Sequence, residues 1–193
     1  NLLKAYFEKG DLNKSDKHIA RVKKSVQSLR SILDDFLSLS KLEEGKVQPD
    51  FANINAKEIC SDIIDELDES SQHSHRFEFE CLTKKTVISG DINIIRQILM
   101  NIVGNAIKYS PENSLINIVM MNKGNYLRID IKDQGIGIPE KEQHNLFERF
   151  FRAENVTNYQ GTGLGLNIVQ RYMKLLNGKV EVKSKENEGS TFS

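Results

Sequence analysis

Asp133-Gln134-Gly135-Ile136-Gly137-Ile138-Pro139 is the segment from which the fold of this chain is best predicted. It follows residues 126–132, where apolar and polar side chains alternate as in a half-buried strand. The strand therefore delivers one carboxylate, Asp133, to its end, and the chain then turns on Gly135 and Gly137. Because glycine has no Cβ, the backbone here can bend sharply or lie close to a flat ligand. A carboxylate beside such backbone suits an amino group on a planar ring; a plain acidic turn is the alternative.

A second glycine-rich segment, Gly161-Thr162-Gly163-Leu164-Gly165-Leu166, opens a predicted helix. It is not a Walker loop, because the chain has no Gly-Lys pair followed by Ser or Thr. Glycines spaced by two after a polar loop also differ from a dinucleotide loop, which directly follows a strand. A helix N-terminus still offers free N–H groups and a favourable dipole to an anion. The segment therefore predicts an anion site.

A row of polar side chains marks one face of a third segment, the helix predicted from about residue 92 to 109. Asn101, Asn105 and Lys108 lie on that face, and the opposite face is apolar. Asparagine is a poor helix former, so two of them in a row favour a ligand-binding purpose over simple solvation. Amide oxygens suit Mg²⁺, which usually brings phosphate oxygens with it, and lysine supplies a charge for phosphate. A merely polar face is the alternative.

Composition argues against several classes of function. The 193 residues include 27 Lys and Arg against 27 Asp and Glu, so no net basic field favours nucleic acid or an anionic membrane. A hydrophobic content of 38% is enough for a core, and no apolar run approaches the roughly 20 residues that cross a bilayer. Cys60 and Cys81 lack metal or redox spacing, which predicts reduced core residues in a cytosolic compartment. The chain begins without Met and is interpreted as part of a longer protein.

The first 45 residues are typical of helices rather than of a mixed domain. Residues 1–10 are predicted to be the end of one helix, and a second helix ends before Gly45. Its apolar residues step by three and four, as in a coiled-coil seam; they are Ile19, Val22, Val26, Leu29, Leu33 and Phe36. One helix cannot bury this stripe alone, so a second copy of the chain is the predicted partner. Packing on the chain's own domain is the alternative.

The remaining pattern predicts an α+β fold, with a layer of helices on a mixed β-sheet. An extended linker precedes a helix that Asn55 and Glu58 begin with a capping box. The other predicted elements are a strand at 76–81, a short neighbouring strand at 87–88, a helix capped by Asp91, a hairpin of 115–122 with 126–133, helices at 140–147 and 164–176, and strands at 179–183 and 191–192.

Four motifs resemble those of bacterial sensor histidine kinases. Residues 101–111 resemble the N box, 133–139 the first glycine box, 146–152 the F box and 161–166 the second glycine box. They stand in the family's order and spacing, and the match runs from about residue 50 to the end. The resemblance implies the Bergerat-type α/β sandwich, a helical layer on a mixed β-sheet, preceded by a long dimerisation helix. It also implies binding of ATP with Mg²⁺.

The resemblance divides the chain into three parts. Residues 1–46 would be part of the dimerisation and histidine-phosphotransfer hairpin, comprising the end of its first helix and its second helix. Residues 47–55 would be a linker, and residues 56–193 the catalytic ATP-binding domain. The parent protein would form a homodimer through the hairpin.

The resemblance also implies a role for each motif residue. Asp133 would accept a hydrogen bond from the adenine amino group, and Asn105 would bind Mg²⁺. Residues 154–160 would form the ATP lid. Residues with an implied catalytic role are Asn101, Asn105, Lys108 and Arg152. The remaining implied ATP contacts are Tyr109 with Lys108 and Arg152 at the phosphates or ribose, Gly135, Gly137 and Ile138 beside the ring, Gly161, Thr162, Gly163, Leu164, Gly165 and Leu166 over the phosphate tail, and Thr191 near the adenine.

The histidines depart from the family's pattern. The family's phosphate acceptor is a histidine followed by an acidic residue, and none of the four histidines here has that context; they are His18, His73, His75 and His144. His18 lies at the edge of the apolar seam and is interpreted as a surface residue. The acceptor is therefore expected upstream of Asn1, so the chain should bind ATP without phosphorylating itself at the native site.

The function implied by the resemblance is that of a protein-histidine kinase, which transfers the γ-phosphoryl group of ATP to a histidine for relay to a response-regulator aspartate. Expected partners are the second parent subunit and the regulator's receiver domain, with no nucleic acid. The expected location is the cytoplasm, with a membrane reached only through regions outside this chain. A regulatory nucleotide-binding module without a working histidine is the alternative. An ATPase of the gyrase and heat-shock chaperone type is a third, which the short lid, the F box and the long helix disfavour.

Overall fold

The computed structural model describes residues 12–193, and its first element is a long helix, α1, Leu12–Glu43. The predicted end of an earlier helix over residues 1–10 lies outside the described residues. The apolar stripe of α1 is largely exposed: Val22, Val26 and Leu29 each keep more than half of their surface accessible. Further along, Leu39 is buried, and Leu42 packs beside it on the core. Thus the end of α1 packs on its own chain, as the alternative reading allowed, while the earlier part leaves the stripe uncovered.

A five-stranded mixed sheet forms the main body, and its strand order is β2-β4-β5-β7-β6. Its strands are β2 Arg76–Cys81, β4 Leu115–Lys123, β5 Tyr126–Lys132, β6 Val182–Lys185 and β7 Gly189–Phe192. Only β2 and β4 run parallel; β4 and β5 form the predicted antiparallel hairpin. The alternation along β4 turns Ile116, Ile118 and Met120 inward, where each is almost fully buried.

Three helices that follow α1 in the chain supply the apolar layer that packs with this sheet. They are α2 Ala56–Ser70, α3 Ile92–Tyr109 and α4 Gly165–Leu175. Apolar residues recur along α3 every three or four positions, so one side of the helix is buried and its polar row is left for the site. The fold is therefore the predicted α+β arrangement of helices on a mixed sheet.

Side-chain caps fix where two of these helices begin. Asn55 accepts a hydrogen bond from the backbone N–H of Lys57 at α2, and its side-chain amide donates to Glu58. Asp91 accepts from the N–H groups of Asn93 and Ile94 at α3, at 2.8 and 3.1 Å. Burial raises the pKa of Asp91, but these two bonds and a third from a distant backbone N–H outweigh it, so the pKa is lowered overall. Both predicted helix starts are confirmed.

The connection between α1 and α2 differs from the prediction. The predicted linker over residues 47–55 ends in a strand, β1 Ala52–Asn55, which pairs antiparallel with β3 Val87–Gly90. The expectation that residues 87–88 neighbour the strand at 76–81 is therefore wrong. Only a partner distant in sequence gives residues 52–55 their strand geometry, which local alternation cannot reveal.

Two further boundaries differ. Residues predicted as a helix at 140–147 form a 3₁₀ helix, Glu140–Asn145. The strand predicted at 179–183 is β6, Val182–Lys185, which pairs antiparallel with β7 and begins three residues later than predicted. Within residues 12–193, no helix combines the length and the apolar character needed to cross a membrane.

Candidate functional site

A cavity of about 890 Å³ lies between α1, the polar row of α3 and the two glycine-rich segments. Most of the predicted site residues line it, although they are far apart in sequence. Those that do are Asn101, Asn105, Lys108, Tyr109, Asp133, Gly137, Ile138, Arg152, Gly161, Thr162, Gly163, Gly165 and Leu166. The fold thus brings residues of all four motifs to one cavity.

Three predicted residues lie behind or beside its wall. Gly135 lies behind the wall and packs closely against Tyr109: a Cβ at this position would lie only 2.7 Å from the Tyr109 carbonyl oxygen. Leu164 is buried in the core. Thr191 lies on the other face of β7, where it pairs in register with Lys132 and Lys183. Its neighbour Ser190 lines the cavity, and Thr191 does not.

Asp133 is a buried carboxylate at the end of β5. One of its oxygens, Oδ1, accepts hydrogen bonds from the N–H groups of Gly135 at 2.8 Å and Ser190 at 3.1 Å. Burial raises the pKa of Asp133 and these two bonds lower it, with burial the larger effect. Because Oδ1 is occupied by backbone donors, the side chain is fixed in orientation, and its second oxygen accepts no hydrogen bond from the described residues.

Two serines that sequence reasoning missed tie the wall around Asp133 together. Ser184 accepts a hydrogen bond from the Ile138 N–H at 2.9 Å and shares another with the Ser190 hydroxyl at 2.9 Å. It therefore joins the first glycine segment to the β6–β7 hairpin. The alternation of β7 carries a signal for Ser190, since Ser190 and Phe192 share a face and both line the cavity.

Gly137 is where the first glycine segment passes closest to that hairpin. Its φ is +63°, and a Cβ would overlap the Lys185 carbonyl oxygen. Residues other than glycine rarely adopt this backbone geometry, and a Cβ would not fit in the available space. The turn predicted from the sequence therefore depends on glycine for two separate reasons.

The polar row of α3 meets the N-terminus of α4. Asn101 donates from its amide nitrogen to the Gln97 carbonyl oxygen, and its own oxygen lies 2.6 Å from where a Cβ of Gly165 would stand. Asn105 lines the cavity one turn further along. Since Mg²⁺ typically takes few protein ligands and completes its shell with water and phosphate oxygens, Asn105 and this polar surface fit such an ion. The described residues contain no cluster of three or more acidic, histidine or cysteine side chains.

Lys108 brings a cation beside the second glycine segment. Its ammonium donates to the Tyr109 hydroxyl at 3.0 Å and lies 2.6 Å from the Cβ position of Gly161. The Tyr109 ring packs edge-to-face with Tyr159, with 5.3 Å between ring centroids. The cation, the α4 N-terminus and the glycine backbone together favour an anionic ligand.

Arg152 organises the segment from residue 154 to 160. Its Nη2 donates to the carbonyl oxygens of Val156, at 2.6 Å, and Tyr159. Its Nε is buried and forms no hydrogen bond within the described part of the chain. Asn155 holds the same segment to the Gly137 carbonyl oxygen at 3.0 Å. Arg152 therefore lines the cavity, while its two Nη2 hydrogen bonds go to the segment itself.

A helical layer on a mixed sheet, with a cavity between a polar helix face and two glycine-rich loops, defines a Bergerat-type fold. Residues 90–193, more than half of the chain, match the family model of histidine kinase-, DNA gyrase B-, and HSP90-like ATPases. The chain belongs to this family, as the catalytic ATPase region of a two-component sensor histidine kinase.

Curated relatives give the same placement. The sensor protein GacS of Pseudomonas syringae pv. syringae is 33% identical over 184 residues, which is 91% of this chain and 20% of GacS. The signal transduction histidine-protein kinase BarA of Escherichia coli strain K12 is 34% identical over 185 residues, with the same coverage. The chain therefore spans about one fifth of the length of these relatives.

A solved structure shows the shared fold. Full-length ShkA, crystallised in complex with AMPPNP, superposes with a TM-score of 0.78 at 22% identity, and the match covers 93% of this chain and 38% of ShkA. This match shows that the two proteins share a fold over nearly the whole length of the chain.

Proposed function

We propose that this chain binds ATP with Mg²⁺ and positions the γ-phosphoryl group for transfer to a histidine of the parent kinase, for relay to an aspartate of a response regulator. The observation that carries the proposal is the fixed, buried carboxylate of Asp133 in the cavity wall. With Oδ1 held by two backbone N–H groups, its other oxygen suits the amino group of adenine. The AMPPNP bound by ShkA, a protein of the same fold, supports the choice of nucleotide.

The remaining groups account for the rest of the nucleotide. Lys108, the N-terminus of α4 and the loop from Gly161 to Gly165 would neutralise the phosphates. Asn105 would bind Mg²⁺, with Asn101 supporting it, and the ion would offset phosphate charge. Arg152 would exchange lid carbonyl oxygens for phosphate or ribose oxygens. Catalysis would rest on positioning and charge neutralisation rather than on a covalent intermediate with this domain.

The acceptor histidine is proposed to lie in a part of the parent outside residues 1–193. Within residues 12–193, no histidine lines the cavity. His73 pairs with Asp68 on the surface, and His75 is buried between Ser74 and the Ser110 carbonyl oxygen. A homodimer through α1 is proposed on the exposed stripe of that helix, with a receiver domain as the second partner.

Phosphorylation with labelled ATP tests this proposal. The chain given ATP and Mg²⁺ should form no acid-labile phosphohistidine, whereas the chain extended upstream through the preceding helix should form one. Replacement of the upstream histidine by glutamine in the extended chain is the control, and His18→Gln in the short chain is its matched partner. Label at His18 would contradict the proposed location of the acceptor.

A regulatory nucleotide-binding module is the second candidate, because the described histidines are all outside the cavity. The same experiment separates the two. An extended chain that binds ATP normally and never becomes labelled, even with the regulator present, would favour the regulatory module over the kinase.

A further inference from the structure

The helix α1 contributes an acidic side chain to the cavity. The Asp35 carboxylate accepts a hydrogen bond from the Thr162 hydroxyl at 2.9 Å, across 127 positions of sequence. The same hydroxyl oxygen accepts from the Leu164 N–H at 3.1 Å, which fixes the loop in this orientation. Asp35 lines the cavity together with Ser31 and Ile32 of the same helix. A carboxylate is therefore bound to the loop at which the phosphates of a nucleotide are proposed to lie.

The Asp35 carboxylate is partly buried and lies close to other charged groups. Burial raises the pKa of Asp35, the Thr162 hydrogen bond lowers it, the neighbouring Asp34 raises it and the Lys108 ammonium lowers it. The carboxylate is thus partly removed from water and lies within the field of Lys108. Phosphate groups would bind the same ammonium, of Lys108, and the same hydroxyl, of Thr162. The Asp35 carboxylate and a phosphate would therefore compete for these two partners.

Further contacts hold α1 in this position. Glu43, near the end of the helix, pairs with Arg149 and also with Arg171 of α4, the latter at 3.4 Å. Between Glu43 and Asp35, Leu39 is buried in the core shared with the catalytic region. The helix is therefore docked at three points along residues 35–43, and Asp35 is the docking contact that faces the cavity.

We propose that Asp35 determines which nucleotide the cavity accepts while α1 is docked: its carboxylate tolerates a diphosphate and opposes a triphosphate, so that ATP weakens the docking of α1. The inference rests on the proposed function. A terminal phosphate adds negative charge near Thr162 and Lys108, where repulsion by a partly desolvated carboxylate is weakly screened. Because coupling between binding equilibria is reciprocal, undocking α1 raises the affinity for the triphosphate by the same factor.

Calorimetric titration of the chain with ADP and with a non-hydrolysable ATP analogue tests the inference. Asp35→Asn keeps an oxygen acceptor for Thr162 and removes the charge. It should raise the affinity for the triphosphate by about tenfold and that for ADP by no more than about twofold. Asp34→Asn is the matched control. Asp34 directly precedes Asp35 on the helix, its side chain is 66% exposed, and it pairs with Arg30 at 3.8 Å. The control should leave both affinities unchanged.

The outcomes separate this inference from the proposed function. A wild-type chain that binds neither nucleotide overturns both. Normal binding by the wild type, with equal gains for the two nucleotides in Asp35→Asn or with no gain, overturns only the role of Asp35. Amide hydrogen exchange over residues 31–43 gives a second readout: saturating triphosphate should speed exchange there more than saturating ADP. Equal exchange in the two complexes overturns the weakening of docking.

Discussion

Replacing Asp133 by asparagine tests the assignment of the adenine end of the site. The change removes one charge and preserves the size of the side chain. Oδ1 accepts two backbone N–H groups, from Gly135 and Ser190, inside a buried wall. Asparagine can keep both bonds only by placing its oxygen there. Its NH₂ group then faces the position proposed for the adenine amino group, so a donor meets a donor.

The magnitude follows from this geometry. The flipped asparagine would leave two buried N–H groups without an acceptor, which costs about 1–3 kcal/mol for each, so the first orientation is favoured. In that orientation the ligand loses one acceptor and gains an opposing donor. We expect a loss of roughly 1–3 kcal/mol in binding, or about 5- to 150-fold in Kd.

Asp133→Asn should weaken ligand binding, but it should not lower the stability of the folded protein. Since burial raises the pKa of Asp133 above its unfolded value, ionising the carboxyl is harder in the folded protein. Its contribution to stability is therefore fully present below the unfolded pKa and declines as pH rises through the folded pKa. Asp133→Asn removes this decline, so thermal unfolding near neutral pH should occur at the wild-type temperature or above it.

Titration with an ATP analogue and with a purine analogue lacking the exocyclic amino group measures the effect. Wild type should bind the first more tightly, whereas Asp133→Asn should not prefer it. Asp130→Asn is the matched control, because Asp130 lies on the same strand, pairs with Arg128 at 2.6 Å and is outside the cavity. Unchanged affinity in Asp133→Asn, or a preference for the amino group as strong as in wild type, would refute the assignment.

Three further perturbations test other parts of the site and core. Asn105→Ala should abolish the gain in nucleotide affinity on adding Mg²⁺, as measured by titration with and without the ion; a normal gain would move the metal role to Asn101. Gly137→Ala should lower the free energy of unfolding by about 1–2 kcal/mol more than Gly124→Ala, because both have a φ of +63° and only Gly137 also lacks room; equal losses in denaturant titrations would contradict this. Burial raises the pKa of Cys60 to about 12, so iodoacetamide near neutral pH should modify Cys60 only after unfolding. Rapid labelling of Cys60 in the native chain, located by mass spectrometry and told apart from labelling of Cys81, would contradict this.

Much of the catalytic region could be predicted because local signals agree there with the tertiary structure. The alternation at 126–132 and the apolar spacing of the helix after Asp91 each describe one buried face, and both elements are confirmed. The motif residues could be assigned to one site because glycine, asparagine and aspartate lower the stability of the local structure at those positions unless a turn or a ligand compensates for them.

Elements that depend on distant partners could not be predicted. Residues 52–55 form a strand only through pairing with 87–90, and neither segment is long enough to show a period. The contact of Asp35 with Thr162 also has no local signal, because an acidic residue on a long polar helix is ordinarily solvated. Ser190 was missed for a smaller reason: a shift of one residue in a strand moves a side chain to the other face.

Three polar side chains that line the cavity already have hydrogen-bond partners within the chain. Lys108 donates to Tyr109, Arg152 donates to the carbonyl oxygens of Val156 and Tyr159, and Asp35 accepts from Thr162. Binding of phosphate must therefore exchange existing partners for new ones, and the measured affinity reports the difference between the two sets. The exchange would release the lid from Arg152 and α1 from Thr162 in the same step. If ATP binds here as proposed, this exchange would link nucleotide binding to movement of residues 154–160 and of α1, and transfer to a histidine on another element would require such movement.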